Sequence, residues 1–330
     1  MGTWGRNLVN SVQGKSGLIR FTAGATRTPE KAAGFAEQHG IAMAADYAGL
    51  LADPNVDAVV LATPHSQHSA QIIAAARAGK AVFTEKPLGL DREETVAAVL
   101  ACAEHKVTLA VGYNWRFQPA LQAIKAMLDD GRLGRLMHVE GNFCGPSAYR
   151  FPKGHWRHDR DETPGGGMTG RGVHVVDAML CLGGNIESVV AQSLRLAQDF
   201  GVDDTTSILF KFRCGSTGYL GTVIATAETW RMQVFGSNGW AEIGGVEHLT
   251  TWELRTCFVD RANVMVKHAP QVTRFPETST ERAELEHFAR AVEAGAPIAR
   301  PGGNEEHNVA VLEAIMRSVR DGTRQGIDPS

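Results

Sequence analysis

The sequence has few cysteines, no long apolar run and no block of positive charge. The cysteines show no Cys-x-x-Cys spacing, which argues against a disulfide framework or zinc knuckle and favours a reducing, cytoplasmic compartment. No apolar run approaches the roughly 18 residues of a membrane-spanning helix. With 33 basic and 36 acidic residues, we expect no nucleic-acid or membrane partner. The five cysteines are Cys102, Cys144, Cys181, Cys214 and Cys257.

Two further absences narrow the chemistry. No Gly-x-Ser-x-Gly sequence occurs, so a nucleophilic serine on a strand-to-helix elbow has no support. His65 and His68 have the spacing of a metal pair, but they follow a strand in a polar loop, and we expect no metal site there. The chain has 330 residues, of which 43% are hydrophobic, enough for two domains with cores of their own.

Residues 57–87 carry the most informative pattern. Two short apolar runs, 56–61 and 81–84, flank about a dozen residues of helical pattern, which predicts a strand–helix–strand crossover of a parallel sheet. The carboxyl ends of such strands border the ligand crevice in open α/β sheets. Lys86 lies in the loop after the second strand, fixed between Glu85 and Pro87, and is therefore placed to meet a ligand.

The same alternation of strands and helices extends from the start of the chain to about residue 113. It includes a strand at 18–25, a helix at 29–39 and a strand at 107–111, and predicts a doubly wound parallel sheet of the Rossmann type. Gly2 and Gly5 have the spacing of the last two glycines of Gly-x-Gly-x-x-Gly, which bring the backbone close to a pyrophosphate. The strand and glycine that should precede them are lacking, so we expect the natural start about ten residues upstream. Met1 would then stand between the first two glycines.

The second part of the sequence changes character after a connecting helix at 114–131. Serial strand-like runs predict an α/β domain built on a large, mostly antiparallel open sheet. We therefore expect domains at 1–113 and 114–330, with the C-terminal helices packing back towards the first domain. The predicted elements are strands at 137–143, 186–196, 205–212, 218–226, 229–235 and 240–243, and helices at 171–182, 281–293 and 304–320.

At this point the residues resemble the Gfo/Idh/MocA family of NAD(P)-dependent oxidoreductases over nearly the whole chain. The markers are Gly2-x-x-Gly5, Thr63-Pro64-x-x-x-His68, Gly79-Lys80 leading to Glu85-Lys86-Pro87, Gly112-Tyr113-Asn114-x-Arg116-Phe117, and Gly172-Val173-His174-x-x-Asp177. The resemblance implies hydride transfer between NAD(P) and a hydroxyl or carbonyl carbon of a sugar, polyol or related cyclic compound. It also implies a homodimer or homotetramer formed through the C-terminal sheet.

Two residues match the catalytic positions of the family. Lys86 corresponds to a lysine near the nicotinamide, whose charge would stabilise a developing alkoxide. His174 corresponds to a histidine that serves as acid/base or substrate anchor, and histidine titrates near neutral pH. Many members place an aspartate four residues before this histidine, where this chain has Gly170. Thr169, Arg171 or Tyr113 could take over its role, or Lys86 and His174 could suffice.

The end of the second predicted strand favours NADP. NAD enzymes place an acid there for the ribose hydroxyls, whereas an arginine accommodates the NADP phosphate. This chain has Thr26 and Arg27 there and no acid, so we expect NADP to be preferred, with NAD as the other possibility. Together with the resemblance, this predicts cofactor contacts from Gly2, Thr3, Trp4, Gly5, Thr26, Arg27, Thr63, Pro64, His65, His68, Glu85, Lys86, Pro87 and Asn114.

Substrate contacts are expected from Trp115, Arg116, Trp156, Thr169, Arg171 and Asp177. Arg116 equally suits a structural salt bridge, and Asp177 equally suits a packing contact. The polar loop 155–161 either caps the substrate pocket or is solvated. The resemblance implies two alternative functions, because the family includes members with other roles. One is an NAD-dependent glycosidase that oxidises its substrate transiently. The other is a non-catalytic regulator that binds the cofactor, which the missing aspartate favours.

Overall fold

The computed structural model describes residues 2–297 and 305–328. The helices are α1 (Thr3–Val12), α2 (Ala33–Gln38), α3 (Tyr47–Ala52), α4 (His68–Arg77), α5 (Arg92–Glu104), α6 (Pro119–Asp129), α7 (Ser147–Arg150), α8 (Val173–Gly183), α9 (Thr280–Glu293) and α10 (Glu305–Asp321). The strands are β1 (Ala23–Gly24), β2 (Ala42–Met43), β3 (Ala58–Leu61), β4 (Ala81–Thr84), β5 (Leu109–Val111), β6 (Leu136–Cys144), β7 (Ile186–Leu194), β8 (Thr205–Phe212), β9 (Thr217–Val223), β10 (Thr229–Gly236), β11 (Gly239–Gly245), β12 (Glu253–Phe258), β13 (Gln271–Arg274) and β14 (Gln325–Gly326).

The described chain divides into two compact units. The first holds residues 2–89, 93–114 and 279–297, and the second holds 90–92, 115–278 and 305–328. Met1, predicted to stand between two glycines, lies outside the described residues, as does residue 304 at the predicted start of the last helix.

The first unit confirms the parallel α/β prediction. Strands β3, β4 and β5 form a parallel sheet in that order, and every residue of β4 is buried. Helix α4 connects β3 to β4 and ends at Arg77. Gly79 follows with a φ of 71°, the left-handed conformation that glycine adopts easily. Lys80 then donates to the carbonyl oxygens of Asp53 (2.9 Å) and Val56 (2.6 Å), which fixes the entry into β4.

The strand predicted at 18–25 is the main local error in this unit. Only Ala23 and Gly24 pair, with β2, and this two-stranded parallel sheet is separate from β3–β4–β5. A segment counts as a strand only where it has a hydrogen-bonded neighbour, and among the described residues β1 has one such neighbour, itself two residues long. The central strand expected to join the two sheets stays a prediction.

The core of the first unit is formed by α1, β4 and α9. Phe83 of β4 meets Phe288 of α9 edge-on, with ring centroids 5.8 Å apart, and Leu8 and Leu285 are fully buried beside them. Ser279 caps α9 by accepting from the amide of Arg282 at 3.1 Å.

The second unit is built on a nine-stranded sheet in the order β13-β12-β11-β10-β6-β9-β8-β7-β14. All neighbours are antiparallel except β6 and β9, as the sequence predicts. Helix α8 lies so close to β6 that a Cβ on Gly141 would stand 2.3 Å from Val175 Cγ1. Glycine at this position therefore sets the distance between helix and sheet.

Four elements depart from the sequence predictions in this unit. Strands β12, β13 and β14 were not predicted, because they are short and lack a continuous apolar run. The helix predicted at 171–182 begins at Val173, after a π-helical turn over Met168–Gly172. Helix α10 contributes Val311 and Ile315 to the core around Ile186.

No helix in residues 2–297 or 305–328 is long and apolar enough to cross a membrane.

Candidate active site

The loop after β4 holds a buried carboxyl group. Glu85 is 6% exposed, the Trp4 indole N–H donates to its Oε1, and the Lys86 amide donates to its Oε2 at 3.3 Å. The next peptide bond, Lys86–Pro87, is cis. The side chain of Trp4, which we expected at the cofactor, thus joins the first turn of α1 to this loop.

Gly112, which has no side chain, leaves room for Glu85. A Cβ on Gly112, directly after β5, would lie 2.9 Å from Glu85 Oε1 and 3.2 Å from Phe83 Cζ. Burial raises the pKa of Glu85 from 4.5 to about 7. The Lys86 charge and the two donated hydrogen bonds oppose that rise, and Glu281 adds to it. Glu281 lies in the first turn of α9 and was not singled out from the sequence, since a single acid in a helical first turn has no distinctive pattern.

His68 connects the loops that follow β3 and β4. Its Nδ1 lies 2.8 Å from the Pro87 carbonyl oxygen, and its Nε2 lies 3.1 Å from that of Thr63. The Thr63 hydroxyl donates to Gln71 Oε1 at 2.7 Å, and His65 is buried in the 3₁₀ turn between these residues. These contacts join the loop after β3 to the loop that contains Lys86. Among the described residues, no group of three or more His, Cys, Asp or Glu could hold a metal ion.

The first unit offers groups that fit a nicotinamide dinucleotide. Helix α1 starts after Gly2 with no side-chain cap and no acid in its first turn, and such helix N-termini bind phosphate groups. Its Gly5 faces Ala62, with a Cβ-to-Cβ distance of 3.7 Å if alanine stood there. Asn114 Oδ1 is buried without a hydrogen-bond partner among the described residues, while its Nδ2 donates to Thr280 at 3.2 Å.

The loop after β1 contains Thr26 and an exposed Arg27. A second arginine, missed in the sequence, comes close to this loop from α1. The Arg6 guanidinium donates to the Lys31 carbonyl oxygen at 2.7 Å and lies 5.1 Å from the ring centroid of Phe35. Its position in a helix gave no sign of this contact.

In the second unit, aromatic rings surround His174. We call Trp115, Phe143, His174, Trp230 and His248 the aromatic cluster. His174 is 5% exposed and stacks on Trp115, with centroids 5.6 Å apart and planes at 20°. The Trp115 indole N–H donates to His248 Nδ1 at 3.1 Å, so neutral His248 carries its proton on Nε2. His248 was missed, because it lies in a short loop outside any motif.

Arg116 and Asp177, both expected to bind substrate, pair with each other. Arg116 Nε lies 2.7 Å from Oδ2 of Asp177 and its NH2 2.5 Å from Oδ1, and both side chains are nearly fully buried. Burial raises the pKa of Asp177, and the Arg116 charge opposes that rise. Removing one partner of a buried bidentate pair of this kind lowers the stability of the fold by several kcal/mol, so this pair stabilises the second unit.

The residues around the missing aspartate are occupied in different ways. The Thr169 hydroxyl donates to the Pro164 carbonyl oxygen. Arg171 donates to Glu228 at 2.7 Å and lies 4.6 Å from the ring centroid of Phe143. A Cβ on Gly170 would meet no atom within 4 Å, so the position is sterically open to a side chain.

The polar loop expected over the substrate is a stack of side chains. Phe151 stacks on His155 with centroids 4.5 Å apart, and His155 stacks on Trp156 at 5.8 Å. Arg157 lies over Trp156, with its guanidinium 4.4 Å from the ring centroid. The loop is therefore partly ordered by its own aromatic residues.

Comparison with known proteins agrees with this arrangement. Residues 1–113 match the model of the oxidoreductase family with an NAD-binding Rossmann fold, and residues 121–242 match the GFO/IDH/MocA C-terminal domain. The chain belongs to the GFO/IDH/MocA oxidoreductase family. It is an NAD(P)-dependent oxidoreductase with an N-terminal NAD-binding domain, as the sequence motifs predict.

Three relatives illustrate the similarity. The chain is 30% identical over 274 residues to inositol 2-dehydrogenase from Rhizobium meliloti, covering 81% of this chain and 79% of the relative. It is 30% identical over 311 residues to D-xylose 1-dehydrogenase (NADP(+)) 2 from Haloferax volcanii, covering 92% and 91%. The WlbA dehydrogenase from Bordetella pertussis, solved with NADH and UDP-GlcNAcA, superposes with a TM-score of 0.82 at 25% identity, covering 100% and 97%.

The buried carboxyl group predicts a pH-dependent stability. Below about pH 4.5 Glu85 is protonated in both folded and unfolded chains, and between 4.5 and about 7 only the folded chain keeps the proton. Above that range the fold must bury a charge, so stability falls as pH rises through this window, by about 3 kcal/mol in all. Urea unfolding without nucleotide should show wild type losing about 2–3 kcal/mol relative to Glu85→Gln between pH 5 and pH 8. The exposed Glu104→Gln is the control, and a difference independent of pH would contradict the assignment.

Proposed function

We propose that the protein oxidises or reduces a sugar, polyol or related cyclic compound, exchanging hydride between NAD(P) and a hydroxyl or carbonyl carbon. The main support for the proposal is the Glu85-Lys86-Pro87 loop. The buried carboxyl of Glu85 accepts a hydrogen bond from Trp4 of α1, which links this loop to the predicted diphosphate-binding helix. Relatives named as inositol and xylose dehydrogenases support the substrate class.

The cofactor, when bound, supplies the carbon that accepts or releases hydride. The first-turn amides of α1 would hold its diphosphate, and the buried Asn114 Oδ1 would supply a hydrogen-bond acceptor for its carboxamide. Thr63, Pro64 and His65 border it after β3, with His68 holding that loop in place.

Lys86 would polarise the substrate oxygen. Its ammonium group stabilises negative charge that develops on that oxygen, which is the largest electrostatic demand of the reaction. Because Glu85 has a pKa of about 7, the acid covalently next to Lys86 carries partial negative charge at neutral pH. Glu85 is thus suited to moderate the charge of the lysine.

His174 would move or hold the hydroxyl proton. Stacking on Trp115 fixes the plane of its ring, and a fixed ring suits directed proton transfer. Asp177 does not replace the missing aspartate, because Arg116 donates to both of its carboxylate oxygens. The proposal therefore assigns the chemistry to Lys86 and His174.

Substitution of these two residues tests the proposal. Lys86→Met should lower kcat by about 10²–10⁴-fold, with a cofactor Kd within a few-fold of wild type, because it removes charge stabilisation but not binding surface. His174→Gln should lower kcat similarly and flatten the acidic limb of the pH profile. The exposed Lys15→Met serves as control. Stopped-flow absorbance at the nicotinamide band measures the rates, and a Lys86→Met enzyme with wild-type kcat would refute the assignment.

We also propose that NADP is preferred over NAD. Arg27 is exposed in the loop after β1, where we expect the 2′-phosphate to bind, and Arg6 contacts the same loop at Lys31. Guanidinium groups bind phosphate with paired hydrogen bonds.

Fluorescence titration gives the cofactor preference. Wild type should bind NADPH more tightly than NADH, and Arg27→Gln should weaken NADPH by about tenfold while leaving NADH within twofold. Arg20→Gln, exposed on the preceding segment, is the matched control. Tighter binding of NADH by wild type would overturn the preference.

A homodimer or homotetramer through the C-terminal sheet is proposed as well. One row of paired residues crosses the sheet face opposite α8: Val190, Leu209, Tyr219, Glu140, Gln233, Glu242 and Arg255. Its apolar members are 37–58% exposed, and a second copy would cover them.

Five cysteines outside any disulfide support a cytoplasmic location.

Light scattering during gel filtration tests the assembly. Wild type should elute with two or four times the monomer mass, and Leu209→Glu should shift it towards monomer because it places charge in the apolar row. Met265→Glu, exposed outside the sheet, should change nothing. A monomeric wild type at micromolar concentration would contradict the proposal.

A further inference from the structure

Arg157 is a half-buried arginine without an acidic partner. Its guanidinium lies 4.4 Å from the ring centroid of Trp156 and 5.3 Å from that of Phe151. Within the described part of the chain it forms no ion pair, and its side chain donates no hydrogen bond. Both neighbours are aromatic, so they hold the guanidinium in place without neutralising it.

Two further arginines share a single carboxylate nearby. Arg171 donates to Glu228 at 2.7 Å, and Arg150 reaches the other oxygen of the same residue at 3.3 Å. Arg171 also lowers the pKa of Arg157, after burial as the larger cause. The arginine group of Arg150, Arg157 and Arg171 therefore has three positive charges for the one negative charge of Glu228.

Nearby acids do not pair with Arg157 in the part of the chain that the structure describes. Asp203 pairs with Arg160 at 2.9 Å, and Asp159 accepts from the amide of Asp161 at 2.9 Å. Gly170, directly before Arg171, has no side chain that could supply a carboxylate. The Arg157 guanidinium is therefore available to an anionic ligand.

The arginine group adjoins the aromatic cluster through one ring. Phe143 lies 4.6 Å below the Arg171 guanidinium and meets His174 edge-on, with centroids 6.1 Å apart. Arg171 and His174 are therefore both neighbours of the Phe143 ring, which connects the arginine group to the proposed catalytic histidine.

We infer that the substrate carries an anionic group, a carboxylate or a phosphate, which Arg157 and Arg171 bind. This inference rests on the proposed function, since it names the substrate class of that reaction. Guanidinium groups recognise both anions with paired hydrogen bonds. Arg157 is a specificity-determining residue in this account and takes no part in hydride transfer.

Matched substrates test the inference. Glucose, glucuronate and glucose 6-phosphate present the same ring with a neutral, carboxylate or phosphate group, each assayed with NAD and NADP at fixed ionic strength. One of the two anionic sugars should exceed glucose in kcat/KM by at least about tenfold, and which one does so identifies the anion. Equal or better turnover of glucose would overturn the inference and leave the proposed function intact.

Variants of Arg157 locate the effect. Arg157→Gln should lower the anionic-to-neutral ratio of kcat/KM by about ten- to a hundredfold, while Arg157→Lys keeps the charge and part of the ratio. Arg160→Gln, in the same loop, is the control. An equal loss on both substrates would show a structural role only and contradict the inference.

Binding separates this inference from the proposed function. If no sugar changes the nicotinamide absorbance, the proposed function fails, and calorimetric titration of glucuronate and glucose 6-phosphate onto the NADP-bound protein decides the anion site. Binding of either that Arg157→Gln weakens supports the site. Absence of binding by both overturns it.

Discussion

The buried carboxyl group of Glu85 is the interaction on which the nucleotide-binding unit depends. It joins three elements at one point: the Trp4 indole of α1, the Lys86 amide after β4, and the space left by Gly112 after β5. Two of these elements donate a hydrogen bond to the carboxyl and the third leaves space for it. A shift of any one of them would expose the carboxyl to solvent or leave it without a hydrogen bond. This arrangement fixes the backbone of Lys86, and the proposed role of its side chain depends on that position.

The second unit separates charges that stabilise the fold from charges that remain for a ligand. Arg116 and Asp177 neutralise each other in the core, although both sit in motifs that suggested substrate contacts. His174 stacks on Trp115, and the Arg157 guanidinium lies over the ring of Trp156. A ring fixes the position of a guanidinium without an opposing charge, which leaves Arg157 able to bind an anion.

Sequence patterns gave the architecture and the Lys86 loop, because β3 and β4 are continuous apolar runs and the loop follows directly. They made the strand at 18–25 too long, because only Ala23 and Gly24 pair with a neighbouring strand. The local sequence does not show where that neighbour lies. They offered a salt bridge for Arg116 without identifying its partner Asp177, 61 positions away, and they missed the contacts of His248. Those contacts arise from tertiary packing, and no local spacing encodes them.

The fate of the transferred hydrogen tests the central claim most directly. A substrate deuterated at the reacting carbon is incubated with the oxidised cofactor, and mass spectrometry and NMR follow the label. Net hydride transfer predicts deuterium at C4 of the reduced nicotinamide, in proportion to product formed, with a primary isotope effect on the chemical step. Deuterium released to water, or returned to a hydrolysed product with no net reduction of cofactor, would contradict it.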